Sequence, residues 1–152
     1  SGLEMIFLQI RPFEPGDRAV FFTMAREFYR SPAVLHPSPD DCFARTFDAL
    51  MAGTPYADGF LIESDGDAAG YLLTARTWSN EIGGEVVWAE ELYIRPAFQH
   101  RGLGRAALAF LHDYYPQARR FRLEVTPENR DAVRLYERLG YREMGYRQMV
   151  RE

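Results

Sequence analysis

The sequence contains no lysine and a single cysteine, Cys42. One cysteine excludes an intrachain disulfide and any zinc or iron–sulfur site built from several cysteines, and it favours a reducing compartment. No uncharged apolar run approaches the ~18 residues that a membrane-spanning helix needs, and no signal peptide is visible. Because the 18 arginines are outnumbered by 22 acidic residues, a nucleic-acid partner is disfavoured. We therefore expect a cytoplasmic protein that binds no membrane, nucleic acid or metal.

The chain has the size and composition of one globular domain. Its 152 residues are 47% hydrophobic and 26% charged, which is ordinary for folded proteins and argues against disorder. No repeat, linker or low-complexity tract divides it. We therefore predict a single domain over residues 1–152, in which residues 1–4 are expected to be partly a cloning remnant.

Hydrophobic periodicity and turn-forming residues predict the element order β-α-α-β-β-β-α-β-α-β. The predicted helices cover residues 17–29, 38–51 or 40–51, 103–115 and 130–139. The predicted strands cover residues 7–11, 60–63, 69–75, 85–94, 121–126 and 141–150, the last as a strand pair or one bent strand, with 77–84 as a loop. One βαβ unit flanked by hairpins indicates an α/β (α+β) fold with a mixed, mostly antiparallel sheet and helices on both faces.

A glycine-rich turn precedes the third predicted helix. Gly102 and Gly104 allow the backbone to approach an anion closely, and the free N–H groups of the helix start favour phosphate. Flanking arginines add guanidinium groups that pair with phosphate oxygens. The turn also fits the dinucleotide fingerprint, with Ala107 as its last position, but residues 95–101 separate it from the preceding strand, where that fingerprint requires direct contact. We therefore predict a pyrophosphate site, against the alternative of an ordinary helix start.

Two adjacent carboxylates, Glu90 and Glu91, lie inside the predicted strand 85–94. An unpaired carboxylate in a covered strand costs several kcal/mol or acquires a raised pKa. Strand alternation predicts that Glu90 shares a face with Trp88 and Leu92, while Glu91 points to the other face. At most one of the two can therefore face a given cleft. The alternative is that they lie at a wet end of the strand or pair with arginines.

The last predicted helix carries two side chains suited to a ligand. Asn129 stands at its start, where its amide either caps the helix or holds a ligand amide. Tyr136 lies on the same side of the helix as Val133 and Leu139. It is therefore either a core tyrosine or an aromatic residue with a polar tip in a site.

Two segments of the chain match the motifs of one family. The run QHRGLG at Gln99–Gly104 fits the Gln/Arg-x-x-Gly-x-Gly/Ala motif of the GNAT superfamily of N-acetyltransferases, and LEVTPENRDAVRLYERLGY at Leu123–Tyr141 is similar to the family's next conserved block. The resemblance covers the chain from Phe7 to the C-terminus. It implies a GNAT-like sheet that splays into a V between strands Val86–Ile94 and Phe121–Thr126.

The resemblance also implies acetyl-CoA as co-substrate. In this family one strand offers backbone groups to the pantetheine arm, the amides of the glycine turn wrap the pyrophosphate, and an asparagine contacts the arm. The histidine of the turn then acts through its backbone. The matching cofactor-binding positions here are Leu92, Tyr93, Ile94, Gln99, His100, Arg101, Gly102, Leu103, Gly104, Arg105 and Asn129.

By the same resemblance the reaction is acetyl transfer to a primary amine by direct attack in a ternary complex. Tyr136 is implied as the acid that protonates the leaving thiolate. Glu90 matches the base of diamine and polyamine acetyltransferases, and Glu124 matches the base of members that acetylate protein N-termini. The position that is glutamate in histone-type members is Trp88 here. We favour Glu90 as the base; the alternatives are Glu124, and bulk water or the substrate itself without a carboxylate base.

The sequence does not identify the acetyl acceptor. In the family it is shaped by the segments that correspond to residues 28–41 and 141–150, and a small amine and a protein N-terminus both fit. The alternative to an enzyme is a non-catalytic, acyl-CoA-binding or regulatory module. Because family members often dimerise, a homodimer is a further expectation.

Overall fold

The computed structural model describes residues 7–152, so the expected cloning remnant at residues 1–4 lies outside the described range. Within that range the helices are α1 Arg18–Tyr29, α2 Asp40–Met51, α3 Leu103–Tyr114 and α4 Arg130–Arg138. The strands are β1 Leu8–Pro12, β2 Ala57–Ser64, β3 Asp67–Ser79, β4 Gly84–Ile94 and β5 Arg120–Leu123. No helix in this part of the chain is long and apolar enough to cross a membrane. The predicted α/β fold class is confirmed.

The strands form one sheet in the order β1-β2-β3-β4-β5. All neighbours are antiparallel except β4 and β5, which are parallel because α3 connects them as a crossover. The turn between β2 and β3 uses Asp65 and Gly66, whose φ angles are 51° and 85°. Two successive positive φ angles are typical of a tight hairpin turn, and the hairpin predicted from the Asp-Gly step is confirmed.

The sheet splits open between β4 and β5. The two strands pair only along Val86–Ala89 of β4 and Arg120–Leu123 of β5. Beyond Ala89, the residues of β4 up to Ile94 have no strand on that side among residues 7–152, although they continue to pair with β3. The unpaired stretch of β4 therefore forms one arm of a V, and its backbone groups on that edge are open to a ligand.

Helices cover both faces of the sheet. On one face α1 and α2 pack an aromatic core against β2, β3 and β4, with members Phe21, Met24, Phe28, Phe43, Phe47, Tyr71, Leu73 and Tyr93. On the other face α3 and α4 pack against the same strands and β5, through Phe60, Leu72, Val87, Leu108, Leu111, Phe121 and Leu135. Burial on both faces fixes β3 and β4 as the rigid centre on which the site is built.

Two predicted boundaries within the sheet were wrong. Residues 77–84 were expected as a loop, but β3 continues to Ser79 and pairs with Gly84 at the start of β4. Cross-strand hydrogen bonds outweigh the polar composition of this hairpin end. β5 was expected to run to Thr126, yet it ends at Leu123, because the chain leaves β4 there and loses its only partner strand.

The predicted C-terminal strand at residues 141–150 is also absent from the structure. This segment has no regular secondary structure, and Gly145 adopts a φ of 83°. It is attached through two hydroxyls: the Tyr141 hydroxyl lies 2.8 Å from His112 Nε2, and the Tyr146 hydroxyl donates to Glu81 at 2.8 Å. A strand is stable only when it is paired, and this segment pairs with no strand in the described chain.

Candidate active site

β4 carries a bulge where its two carboxylates lie. Leu73 of β3 pairs with Glu91, but the next residue, Thr74, pairs with Ala89. Glu90 is therefore an extra residue on β4. Such an insertion bends the strand, increases its twist and interrupts the alternation of faces.

The bulge overturns one expectation about the faces of β4. Val87 and Leu92 both pack on the side of α3, although they are an odd number of positions apart and would lie on opposite faces of a regular strand. Trp88, the neighbour of Val87, lies on the opposite face. The expectation that Trp88 and Leu92 share a face is therefore wrong, because the extra residue shifts every later side chain to the other face.

Glu91 lies beneath α1, on the face opposite to α3. Its carboxylate accepts hydrogen bonds from the Tyr29 hydroxyl at 2.5 Å and from the Tyr71 hydroxyl at 2.8 Å. Burial raises the pKa of Glu91, and the two hydroxyls oppose that rise by stabilising the charged form. Two short hydrogen bonds hold this carboxylate in place, so it is suited to position α1 rather than to exchange protons with a substrate.

Glu90 and Glu124 meet across the opening of the V. Glu90 is exposed on the bulge, and Glu124 is exposed directly after the end of β5. Partial burial raises the pKa of Glu90, and the negative charge of Glu124 raises it further. Solvent screens part of that repulsion because both side chains reach water. The two carboxylates predicted as alternative bases are thus close enough for the charge of Glu124 to affect the pKa of Glu90.

Tyr136 lies on α4, half-buried against the core on the α3 side. Burial raises the pKa of its hydroxyl, so the group is protonated at neutral pH. No hydrogen-bond partner of that hydroxyl is found among residues 7–152. A protonated hydroxyl without an internal partner is available to donate to a ligand.

The glycine turn before α3 has the backbone geometry that its sequence predicts. His100 and Gly102 adopt left-handed φ angles of 63° and 78°. None of the amides of His100–Arg105 has a hydrogen-bond acceptor in the described chain; the first amide with one is that of Ala106, which donates to the Gly102 carbonyl. Consecutive free N–H groups at a helix start form a site for an anion.

A cleft of about 560 Å³ lies along the open edge of β4. It brings together five of the predicted cofactor residues: Leu92, Tyr93, Ile94, Gln99 and Asn129. His100–Arg105 follow Gln99 directly in the chain, although they do not line this cleft. The Ile94 carbonyl accepts a hydrogen bond from Gln99 Nε2 at 3.1 Å, so that oxygen is already engaged within the protein.

Asn129 contributes to this cleft as a free amide. Its backbone N–H donates to the Thr126 carbonyl and its own carbonyl starts α4 by accepting from Val133. Its side chain makes no capping hydrogen bond. Of the two roles predicted for this side chain, capping is therefore wrong, and the residue lines a cleft that can hold a ligand.

Further residues line this cleft besides the predicted cofactor positions. The end of α1 and the turn after it contribute one wall, and the first turns of α4 contribute another, through Phe28, Ser31, Pro32, Ala33, Glu128, Arg130, Asp131 and Arg134. Arg130 and Arg134 stand four residues apart on one helix face, and Glu128 and Asp131 line the same wall, which therefore carries both signs of charge. The residues of the α1 wall belong to the segment 28–41 that the resemblance implied as a boundary of the acceptor site. The tertiary packing brings this segment to β4.

A second cleft of about 560 Å³ lies between β5 and residues 139–146. None of the predicted catalytic or cofactor residues lines it. Neither cleft contains a metal-binding cluster: no group of three or more His, Cys, Asp or Glu side chains suited to a metal occurs within residues 7–152. Five of the predicted cofactor residues thus line the cleft at the open edge of β4. The predicted catalytic residues Glu90, Glu124 and Tyr136 line neither cleft.

A match to a known family model shows which protein family this chain belongs to. A model described as the acetyltransferase (GNAT) family matches residues 20–141. This chain belongs to the GNAT acetyltransferase family. The match spans α1 to the end of α4, and so includes both arms of the V, the glycine turn and the Asn129–Tyr136 helix.

Relatives of this GNAT chain support the same fold. An uncharacterized N-acetyltransferase of Methanocaldococcus jannaschii is 33% identical over 90 residues, which are 57% of this chain and 40% of that protein. The matched region thus spans less than half of that relative. An integron cassette protein from the mobile metagenome of Cole Harbour Salt Marsh is 26% identical with a TM-score of 0.78, covering 95% of this chain and 90% of the other.

The aminoglycoside N-acetyltransferase AAC(6')-Iy, solved in complex with CoA, superposes with a TM-score of 0.80. It is 18% identical, and the alignment covers 98% of this chain and 97% of that structure. At this identity the likeness establishes the GNAT fold.

Proposed function

We propose that this GNAT chain transfers an acetyl group from acetyl-CoA to a primary amine, by direct attack within a ternary complex. The observation that carries the proposal is the row of unpartnered amides at His100–Arg105 beside the open edge of β4. A helix start with free N–H groups binds phosphate, and an unpaired strand edge binds an extended amide-containing chain. Coenzyme A offers both groups in one molecule.

The described residues fit coenzyme A along its length. The amides of His100–Arg105 suit the pyrophosphate, and the side chains of Arg101 and Arg105 add positive charge there. The open backbone of Leu92 suits the pantetheine amides, whereas the backbone of Tyr93 is directed to β3. Asn129, whose side chain makes no capping hydrogen bond, lines the same cleft. Bound acetyl-CoA supplies the acetyl thioester that an amine attacks.

The base has to act on the acceptor. An alkyl ammonium has a pKa of ~10.4 and is not nucleophilic until it loses a proton. Glu90 takes this proton, directly or through a water, and its raised pKa brings it closer to neutral pH, where a general base is most effective. Glu124 is the alternative base on the facing arm. A backbone N–H near Leu92 stabilises the negative charge that develops on the attacked carbonyl.

Tyr136 acts as the acid. A thiolate leaving group has a conjugate pKa of ~8.5 and therefore benefits from a proton donor. The Tyr136 hydroxyl is protonated, and no residue of the described chain competes for its proton. A free hydroxyl on the helix that also carries Asn129 favours an enzyme over an acyl-CoA-binding module without turnover.

A small amine is the acceptor class that we favour. The structural neighbour AAC(6')-Iy has also been solved with a bisubstrate analogue, CoA-S-monomethyl-acetylneamine, with a TM-score of 0.78 and 18% identity. A protein N-terminus is the alternative acceptor. The test measures release of free thiol from acetyl-CoA with small amines, aminoglycosides and peptides as acceptors. If only peptides are acetylated, the acceptor is a protein N-terminus and not a small amine.

The phosphate-binding role of the glycine turn predicts a specific loss of affinity. In Gly102→Val a β-branched residue would have to adopt a φ of 78°, which costs about 1–2 kcal/mol or more and distorts the row of amides. We expect the dissociation constant for coenzyme A, measured by calorimetry, to rise about tenfold or more.

Gly53→Val is the matched control for this experiment. Gly53 also has a positive φ, 76°, and open space around its Cα, but it lies after α2, outside the cleft. We expect this variant to lose comparable stability and to bind coenzyme A like the unmodified protein. Equal affinities of the two variants would contradict the assignment of the turn, and failure of the unmodified protein to bind coenzyme A would contradict the proposed function.

The paired carboxylates predict a pH dependence. Because the pKa of Glu90 is raised, kcat/KM should fall as the pH drops through a value above the ordinary ~4.3 of a glutamate. Glu124→Gln removes a neighbouring negative charge, which lowers the pKa of Glu90 and should move this acid limb to lower pH. Glu137→Gln, an exposed change on α4, should leave the profile in place. Loss of nearly all activity in Glu124→Gln would instead assign Glu124 as the base.

A further inference from the structure

Arg122 of β5 is stacked on Trp88, its in-register neighbour on β4. The guanidinium carbon Cζ lies 4.2 Å from the indole ring centroid. Trp88 is held in turn by its Nε1, which donates to Thr77 Oγ1 at 3.3 Å. Stacking occupies one face of the guanidinium and leaves its in-plane N–H donors free.

No carboxylate within residues 7–152 lies within ion-pair distance of Arg122. Its neighbour two residues earlier, Arg120, pairs with Glu81 Oε1 at 2.8 Å. The other oxygen of Glu81 accepts the Tyr146 hydroxyl at 2.8 Å, so both oxygens are engaged. The pKa of Glu81 is lowered mainly by its hydrogen bonds to Tyr146 and Arg120, and the positive charge of Arg122 has a smaller effect. Arg122 is thus a positioned cation with unused hydrogen-bond donors.

This cation faces the side of the sheet that α1 and α2 leave open. Their aromatic core covers Tyr71, Leu73 and Tyr93 but does not include Trp88. Trp88 and Arg122 are both half-buried and lie outside that core, next to the opening of the V.

Charges of both signs lie close together along the chain on the two arms of the V. Glu90 follows Trp88 by two residues on one arm, and Glu124 follows Arg122 by two residues on the other. Glu90 is the bulged residue of β4 and Glu124 follows the end of β5, so both carboxylates stand where the two strands stop pairing. A guanidinium two residues along the chain from Glu124, and paired across the strands with the residue two before Glu90, gives the charge pattern complementary to a molecule with one amine and one anionic group.

We propose that the acetyl acceptor carries a carboxylate besides its primary amine, and that Arg122 binds this carboxylate while the amine lies at Glu90. The inference rests on the proposed function and narrows its acceptor to amino acids and related amino carboxylates. An arginine fork pairs with a carboxylate through two parallel hydrogen bonds, and the indole beneath it keeps the fork in position. Trp88 is accordingly a positioning residue.

The test compares acceptors that differ only in the carboxylate. Unbranched ω-amino acids of increasing chain length are each paired with the alkylamine that lacks the carboxylate, and acetyl transfer is followed by thiol release. For the unmodified protein we expect kcat/KM to be about tenfold or more higher for the amino acid of the best length than for its alkylamine partner. Arg122→Gln should abolish that preference, so that the amino acid and its alkylamine partner are turned over with equal kcat/KM.

Two further variants and a binding measurement keep the result interpretable. Arg122→Lys retains the charge without the fork and should keep only part of the preference. Arg18→Gln removes an exposed arginine that stacks on Phe22 and pairs with Asp48 at α1 and α2, and it should keep the full preference. An unchanged dissociation constant for coenzyme A shows that each variant is folded.

Three outcomes are separable. Equal rates for amino acids and alkylamines in the unmodified protein, or a preference that survives in Arg122→Gln, would overturn the role of Arg122 while leaving amine acetylation intact. Transfer to no amine at all would overturn the proposed function and this inference with it. Loss of the preference in Arg122→Gln alone would support the inference.

Discussion

Replacing Tyr136 by phenylalanine is expected to lower kcat about hundredfold or more, within the ordinary range for loss of a general acid. The hydroxyl has no partner within residues 7–152, so its removal breaks no internal hydrogen bond, and phenylalanine keeps the ring in the core on the α3 side. The free energy of unfolding should therefore change by no more than about 0.5 kcal/mol. The measurements are steady-state thiol release, denaturant unfolding and coenzyme A affinity.

Tyr56→Phe is the control for this experiment. Tyr56 is 74% exposed and its hydroxyl makes no hydrogen bond in the described structure, so the same chemical change is made away from the cleft. We expect its kcat to equal that of the unmodified protein. An undiminished kcat in Tyr136→Phe would remove this tyrosine from the mechanism and would favour solvent as the proton donor. A loss of coenzyme A affinity parallel to the loss of kcat would assign it to binding instead.

Among the substitutions proposed for this protein, Gly70→Ala is expected to lower the free energy of unfolding the most. Gly70 of β3 pairs with Ile94, and a Cβ added to it would lie 2.0 Å from the Tyr93 carbonyl oxygen and 3.1 Å from the Ile94 Cα. These contacts are with backbone, which cannot rotate away as a side chain does. We expect the free energy of unfolding to fall by about 3 kcal/mol or more, measured by denaturant titration.

The same substitution tests the link between the sheet and the site. Tyr93 and Ile94 line the cleft along the open edge of β4, so pushing β4 away from β3 should also weaken coenzyme A binding under conditions where the protein remains folded. Gly16→Ala adds the same methyl group where no atom lies within 4 Å, and it should change neither property. If Gly70→Ala were as stable as the unmodified protein, the close approach of β3 to β4 at this glycine would be wrong.

The bulge at Glu90 explains how one strand serves two purposes. Glu91 is held beneath α1 by the hydroxyls of Tyr29 and Tyr71, whereas Glu90 stays exposed at the opening of the V. Without the inserted residue, alternation would continue unbroken along the strand. The bulge thus allows β4 to retain its packing against α1 and to present a separate carboxylate with a raised pKa at the site.

The order of elements up to α4 and the nature of the glycine turn follow from the sequence alone. Helix periodicity, turn residues and the positive φ that Gly102 tolerates are local properties, and each depends on a few neighbouring residues. The motif at Gln99–Gly104 is likewise contiguous in the chain, so the resemblance to the GNAT family depends only on the order of neighbouring residues. The family match confirms it.

The tertiary structure decided what depends on partners distant in the chain. The bulge at Glu90 follows from the register between β3 and β4. β5 ends early because the chain leaves β4 there. The predicted C-terminal strand does not form because residues 141–150 pair with no strand in the described chain. The stacking of Arg122 on Trp88 likewise joins two strands separated by a helix. Local sequence rules carry no information on such pairings, because hydrogen bonds and contacts between remote segments determine their free energy.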